Sequence, residues 1–262
     1  MRELNVEVSR SVERTIQILN CFGFDHPRLT IDQIVRETRL PKTTVYRILW
    51  TLEKNGLIHY DERDADYRLG YKLLEYGGIV MEQLDIRKDA EPFLVELQQQ
   101  TGFSVILAVR QDDNLLYLQR LESNDGFQPQ SYVGRRRVLH YGVIGRMLMA
   151  HLPLEAAREI VLRHPLESYT PLTVTDETLF FEELRKMREF GYGVDIGGTF
   201  PGFTGISAPV FGANHEVVAA IGTAGPTFKT ENPEDLKRIV QLTVDTAFRI
   251  SQRLGYVKKR DS

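Results

Sequence analysis

The chain has 262 residues, 42% of them hydrophobic and 26% charged, with a formal net charge of −3. That composition describes a folded protein of about two domains and excludes a largely disordered one. The charge lends no support to nucleic-acid binding through bulk basicity, and leaves that function only a local basic face. The single cysteine, Cys21, excludes an intramolecular disulfide and a cysteine-rich zinc site. Its helical spacing with apolar neighbours reads it as a small core side chain. No apolar run reaches the roughly 20 residues that span a bilayer. The first ten residues, MRELNVEVSR, lack the apolar core of a secretory signal. The expectation is a cytoplasmic protein with no membrane partner, no metal and no cofactor.

Residues 9–23 predict a helix with Val12, Ile16, Leu19 and Phe22 on its inner stripe and Gly23 at its end. FDHPRL reads as a turn. Thr30, with Gln33 three positions on, predicts a capping box that opens a short helix whose Ile31, Ile34 and Val35 face inward. Pro41 suits the first position of a third helix over 41–55, with Val45, Ile48, Leu49 and Leu52 on one face and Gly56 as its stop. Leu57–Tyr60 and Tyr67–Leu69 flank an acidic turn and read as a β-hairpin. Three helices and a hairpin in about 70 residues make a winged helix-turn-helix. Residues 71–84 form an amphipathic connector that Gly77-Gly78 can bend.

From residue 85 the pattern is that of an α+β domain on an antiparallel sheet. A helix is followed by a hairpin, FSVILAVRQ and NLLYLQRLE, turning at Asp112 to Asn114. Helices are expected after His140, at 154–163 and at 175–190. One or two strands and a hairpin turning at Gly212–His215 come next, and a last helix over 232–254 closes the chain. The domain expectation is therefore 1–70 for the winged helix-turn-helix, 71–84 for a linker helix and 85–262 for the second domain.

The third helix carries the functional signal. Its apolar residues take one face, while Lys42, Thr43, Thr44, Tyr46 and Arg47 on its first two turns point largely away. In a helix-turn-helix those turns enter the major groove. There, threonine suits base edges and phosphates, and lysine or arginine suits phosphates or guanine. Arg68, on the returning strand of the hairpin, is within reach of a phosphate. Asp61, Glu62, Asp64 and Asp66 repel one, so the wing tip is expected to stand clear of DNA. Residues 1–80 hold twelve basic and twelve acidic side chains, so binding must rest on local clustering and dimerisation.

The stretches SVERTIQIL, LTIDQIVRETRLPKTTVYRILWTLEKNGLI, YRLGYKLLEYG, VGRRRVLHYGVIGRMLMAHLP and GYGVDIGGTFPGFTGISAPVFGANHEVVAAIGTAGP resemble, in order and spacing, the IclR family of bacterial transcriptional regulators. The resemblance spans nearly the whole chain. It implies an N-terminal winged helix, a linker helix used in dimerisation and a C-terminal GAF/PAS-like effector domain. It implies a homodimer or dimer of dimers on a palindromic double-stranded operator, released or engaged by a small-molecule effector. It places DNA contacts at Arg14, Lys42, Thr43, Thr44, Tyr46 and Arg47. It also builds the effector pocket from two segments, His140, Tyr141, Gly142, Val143 and Ile144, and the sheet from Asp195 onward.

Within that pattern the chain departs at several positions. Val138 stands where proline is usual, and the usual GK pair is Gly145-Arg146. Gly198 replaces a common glutamate, Gly205 a cysteine, and Gly222 and Ala224 a small polar pair. Loss of those side chains predicts a larger, less polar cavity, unless the glycines simply make the strand and turn geometry. An aromatic or amide-like effector near Tyr132, Tyr141 or Phe203 follows from that reading. The basic run at 135–137 reads as a solvated edge. The glycine-rich GYGVDIGGTFPG lacks the order of a nucleotide loop. The competing class is a small-molecule enzyme with an accessory winged helix, for which no nucleophile, base and second acid stand in a recognisable arrangement.

Overall fold

Thr30 opens its helix as its sequence dictates. Its hydroxyl accepts from the Gln33 amide, and the Gln33 side chain accepts from the Thr30 amide. This capping box satisfies donors that the first helical turn leaves open. The computed structural model describes residues 8–82, 85–123 and 131–257 and divides into two units, residues 1–84 and 85–262. The linker reading ends on residues 83–84, which lie outside the described residues.

The first unit holds helices α1 (Arg10–Asn20), α2 (Ile31–Thr38) and α3 (Lys42–Lys54), then α4 (Tyr71–Glu82). Its sheet has three antiparallel strands, β1 (Arg28–Leu29), β2 (Ile58–Asp61) and β3 (Asp66–Leu69), in the order β1-β3-β2. The core joins Ile18 of the first helix, and Cys21 and Phe22 just after it, to Ile34, Val45, Leu49, Leu52, Ile58 and Tyr67. Burial pushes the Cys21 thiol up to about 11, in keeping with a packing role.

Two readings of this unit are corrected. FDHPRL is not only a turn: Arg28 and Leu29 pair with Arg68 and Tyr67, adding a third strand. The inner stripe expected for α1 holds only at its end: Leu19 is partly buried against the core and Phe22 is buried, while Val12 and Ile16 stay outside. Val12 and Ile16 are 56% and 50% exposed, whereas Ile18 is fully buried. The helix docks by its last turn, so Ile18 and Leu19, with Cys21 and Phe22 just beyond the helix, meet the core and the earlier apolar residues stay outside.

The second unit opens with α5 (Asp85–Thr101). A six-stranded antiparallel sheet follows, made of β4 (Ser104–Gln111), β5 (Asn114–Leu121), β6 (Arg136–Val138), β7 (Gly193–Ile196), β8 (Phe203–Phe211) and β9 (Val217–Pro226). The strand order is β6-β5-β4-β9-β8-β7. Between β6 and β7 run α6 (Gly142–Ala150), α7 (Leu154–Arg163) and α8 (Glu177–Phe190), and α9 (Pro233–Arg253) ends the fold. Helices α5 and α9 cover one face, with Phe103, Ile206 and Ile239 packed together. On the other face α6 lies on the sheet and α8 on α6, burying Leu139, Ile144, Met147, Phe180 and Leu184. The solvated-edge reading of 135–137 holds at Arg136 and fails at Arg135. Arg136–Val138 is an edge strand, and Arg135 is buried, 7% exposed. Among the described residues no helix is long and apolar enough to cross a membrane, and no cluster of His, Cys, Asp and Glu could hold a metal.

Candidate functional site

In the first unit, α2 leaves its helix through Arg39, whose φ of 55° is left-handed, and Leu40-Pro41 then starts α3. That turn sets α3 across α2. Val45, Leu49 and Leu52 are buried, and Lys42, Thr43, Tyr46 and Arg47 are exposed, with Thr44 partly so. The exposed row continues through Trp50, 61% exposed, which sequence reasoning missed. Its signal was its place opposite the apolar face, one turn beyond Tyr46 and Arg47. Lys42 Nζ lies 2.6 Å from Asp32 of α2. Both groups are exposed, so the pair holds weakly and leaves Lys42 available to a phosphate. Arg14 is exposed on α1.

On the wing sheet, Arg68 is flanked by Arg28 and His59 across the two ladders. Arg28 Nη1 lies 3.1 Å from Asp64 and 3.6 Å from both Asp61 and Asp66. The acidic turn is thereby partly neutralised from a neighbouring strand. The Asp61 carboxyl is held below its usual range, first by the Arg63 amide and also by Arg28 and Arg68.

In the second unit, strand register aligns Ser104, Ala224, Gly205 and Asp195 in one row across β4, β9, β8 and β7. The next row on that face holds Ile106, Gly222, Ser207 and Gly193. This floor of small residues lets the first turn of α6 approach the sheet. Between them lies a cavity of about 80 Å³, lined by Tyr141, Gly142, Val143, Ile144, Asp195, Phe203, Gly205 and Ala224 among the expected residues. Ile106, Tyr117, Ser131, Thr199 and Phe200 also line it, although nothing in their local sequence marks them.

Three expected residues lie elsewhere. Tyr132 is 37% exposed, with the Arg120 guanidinium over its ring at 5.2 Å. His140 points into a neighbouring hollow, and its Nε2 donates to the His164 carbonyl at 3.1 Å. Gly222 backs Ile144 instead of open space. A Cβ there would lie 2.5 Å from the Ile144 side chain, and one on Gly205 would lie 3.1 Å from Val143. The volume that these glycines vacate is thus taken up by α6, which corrects the expectation of an enlarged cavity. Gly222→Ala should therefore cost about 1–2 kcal/mol in urea unfolding through overpacking. In an Ile144→Ala background the same change should cost little.

The cavity has two polar ends. At one, Asp195 is buried and accepts from the Gly198 amide at 3.0 Å and from the Thr199 hydroxyl. Arg146 Nη2 lies 3.3 Å from the same carboxylate. The Thr170 and Thr173 hydroxyls hold the Gly197 and Gly198 carbonyls at 2.8 and 2.6 Å, so this loop is clamped from both sides. At the other end, burial pushes the Tyr117 phenol up to about 12, against the opposing pull of its hydrogen bond with Ser131 and of Arg137 and Arg135. The Arg137 guanidinium lies over the Tyr141 ring at 4.9 Å, and burial raises the Tyr141 phenol as well. Both phenols stay protonated near neutral pH and remain available as hydrogen-bond donors.

His140 and His151 respond to acid. Burial is the first cause in each, holding both imidazoles below their usual range. A base with a depressed folded pKa binds its proton better when unfolded. Its contribution is intact above about pH 6.5 and is lost as pH falls from there through the folded value. The melting temperature of the second unit should therefore fall between pH 7.5 and 5.5. His140→Gln and His151→Gln together should flatten that slope.

A helix-turn-helix with an exposed second helix, joined to a domain holding a small cavity, defines a ligand-responsive DNA-binding regulator. Comparison gives the family. Residues 79–252 match the description "Bacterial transcriptional regulator IclR C-terminal" and residues 11–62 match "IclR helix-turn-helix domain". The chain belongs to the IclR family of transcriptional regulators. It is 31% identical over 249 residues to the HTH-type transcriptional regulator KipR of Bacillus subtilis, covering 95% of this chain and 98% of that one. It superposes on an IclR transcriptional regulator from Alicyclobacillus acidocaldarius with a TM-score of 0.83 and 27% identity, over 95% and 100% of the two chains. An IclR homolog from Microbacterium hydrocarbonoxydans, complexed with 4-hydroxybenzoate, superposes with a TM-score of 0.80 and 27% identity over 93% and 98%.

Proposed function

We propose that the chain acts as a homodimer or dimer of dimers that represses a catabolic operon by binding a palindromic operator. A small aromatic or amide-like effector in the second unit then alters its grip. The observation that carries the DNA role is the exposed row from Lys42 through Arg47 on a helix whose opposite face is buried. Arg14 and Arg68 are assigned to phosphates flanking the groove. Two further features support the reading. Val12 and Ile16 on α1, and Leu74, Ile79 and Val80 on α4, are exposed apolar groups of the kind a subunit interface covers. The cavity carries Tyr141, Phe200 and Phe203 between its two polar ends, which suits a flat ring bearing polar groups.

At about 80 Å³ the cavity is smaller than an aromatic ring requires. An effector therefore has to displace the Val143-Ile144 turn or the Phe200 loop, and binding favours a second arrangement of α6. That differential affinity is what allosteric control requires. The test is a mobility shift on the DNA upstream of the protein's own gene, repeated with aromatic acids, amides and small oxoacids. Specific retention changed by one aromatic or amide compound is expected. No retention on any upstream fragment at low salt overturns the DNA reading. A response to two- or three-carbon acids alone overturns the effector class. A promoter reporter that loses expression on deletion of the gene overturns repression.

A further inference from the structure

We infer that Arg146, shared between Asp195 and Glu183, is the positioning residue of the effector cavity and sets the charge of ligand that the cavity accepts. The inference rests on the effector reading above. The Arg146 side chain is 12% exposed, and it spans from α6 to two acids on different elements. Nη1 donates to Glu183 of α8 at 2.9 Å, and Nη2 lies 3.3 Å from Asp195 at the cavity wall. Asp195 in turn holds the Gly198 amide and the Thr199 hydroxyl. Thr199 and Gly142 line both the cavity and the adjoining hollow that Arg146 borders, so this wall separates the two.

One guanidinium serving two carboxylates leaves the group with a net charge of −1. A carboxylate approaching Asp195 meets repulsion, because Arg146 is already divided. A neutral donor such as an amide N–H or phenol O–H meets an acceptor held in place. Arg135 and Arg137 act on the Tyr117 and Tyr141 side, so an acid group on the ligand is drawn there instead. Glu183 is 39% exposed at its side chain and lines no part of the cavity. It tunes the site only through Arg146 and through its field.

The test uses the full chain with benzoate and benzamide as probes, and hydrogen exchange across residues 197–203. Glu183→Gln frees Arg146 for Asp195 and should raise the benzoate to benzamide affinity ratio roughly fivefold. Arg146→Gln should lower that ratio and speed exchange at the Gly198 amide roughly tenfold. Arg146→Lys, which keeps the charge, should bring both readouts back toward the wild type. A merely structural arginine would give faster exchange in both Arg146 variants and no opposed change in the ratio, and that result overturns the inference. Unchanged exchange with normal probe binding overturns the role of Arg146 while sparing the effector reading. Failure of both probes to bind any variant overturns charge selection together with the aromatic-effector reading.

Discussion

Replacing Arg47 by alanine is expected to weaken operator binding by about 1–3 kcal/mol. Arg47 lies on the exposed side of α3, in the second helical turn, with Val45 and Leu49 fully buried on the other side. Truncating it removes no core contact, so the folded first unit should survive unchanged by circular dichroism. A guanidinium there either forks onto guanine or neutralises a phosphate, and the two roles separate experimentally. A base reader loses affinity for the operator and not for unrelated DNA, and Arg47→Lys does not restore it, because a single ammonium cannot reproduce the bidentate pair. A phosphate contact loses affinity on all sequences, lowers the salt slope by about one and is largely restored by lysine. An operator affinity equal to the wild type would remove Arg47 from the interface and shift attention to Tyr46 and Trp50.

Ile144→Ala is expected to cost about 2–3 kcal/mol of stability and to tighten binding of aromatic probes to the second unit. The stability loss follows from removing buried methyl and methylene groups, and it falls toward the low end for Ile→Ala because the side chain already borders a cavity. The gain in binding follows from geometry. Ile144 fills the space above Gly222, and its removal joins that space to the cavity beneath Tyr141 and Phe203. The wild-type protein must move that side chain before a ring can enter, whereas the variant has the room already. Urea unfolding measures the first effect and calorimetric titration with benzamide the second. A variant destabilised as expected, yet binding no better, would show that Ile144 does not limit access and that the Phe200 side opens instead.

The two experiments bear on opposite ends of one mechanism. Arg47 reports whether α3 reads sequence, and Ile144 reports whether α6 must yield to a ligand. If a compound that binds the Ile144→Ala variant releases the operator at lower concentration than it does from the wild type, the two ends are coupled through the arrangement of α6.

Much of this molecule was legible in its residues because the causes are local. The Thr30 to Gln33 box, the Val45, Leu49 and Leu52 face of α3, the β4–β5 hairpin around Asp112 and the span of α7 each depend on neighbours within a few positions. The row Lys42 to Arg47 was legible for the same reason, since a helix with one apolar face displays the rest. Trp50 was passed over because a tryptophan is more often packed than displayed. Other features depend on partners far along the chain. The strand at Arg28–Leu29 exists only because β3 offers it an edge. The inward side of α1 was chosen by the position of the core, against the stronger apolar stripe. The cavity gathers Tyr117, Ser131 and Phe200 with Asp195 through strand register and loop path. Arg146 bridges Glu183 and Asp195, 37 and 49 residues away, because α8 packs on α6 beside β7. Periodicity, capping and turn chemistry act over one or two turns and are written in order along the chain. Which faces stack, and what fills the space above a glycine, is decided only when distant elements compete for the same volume.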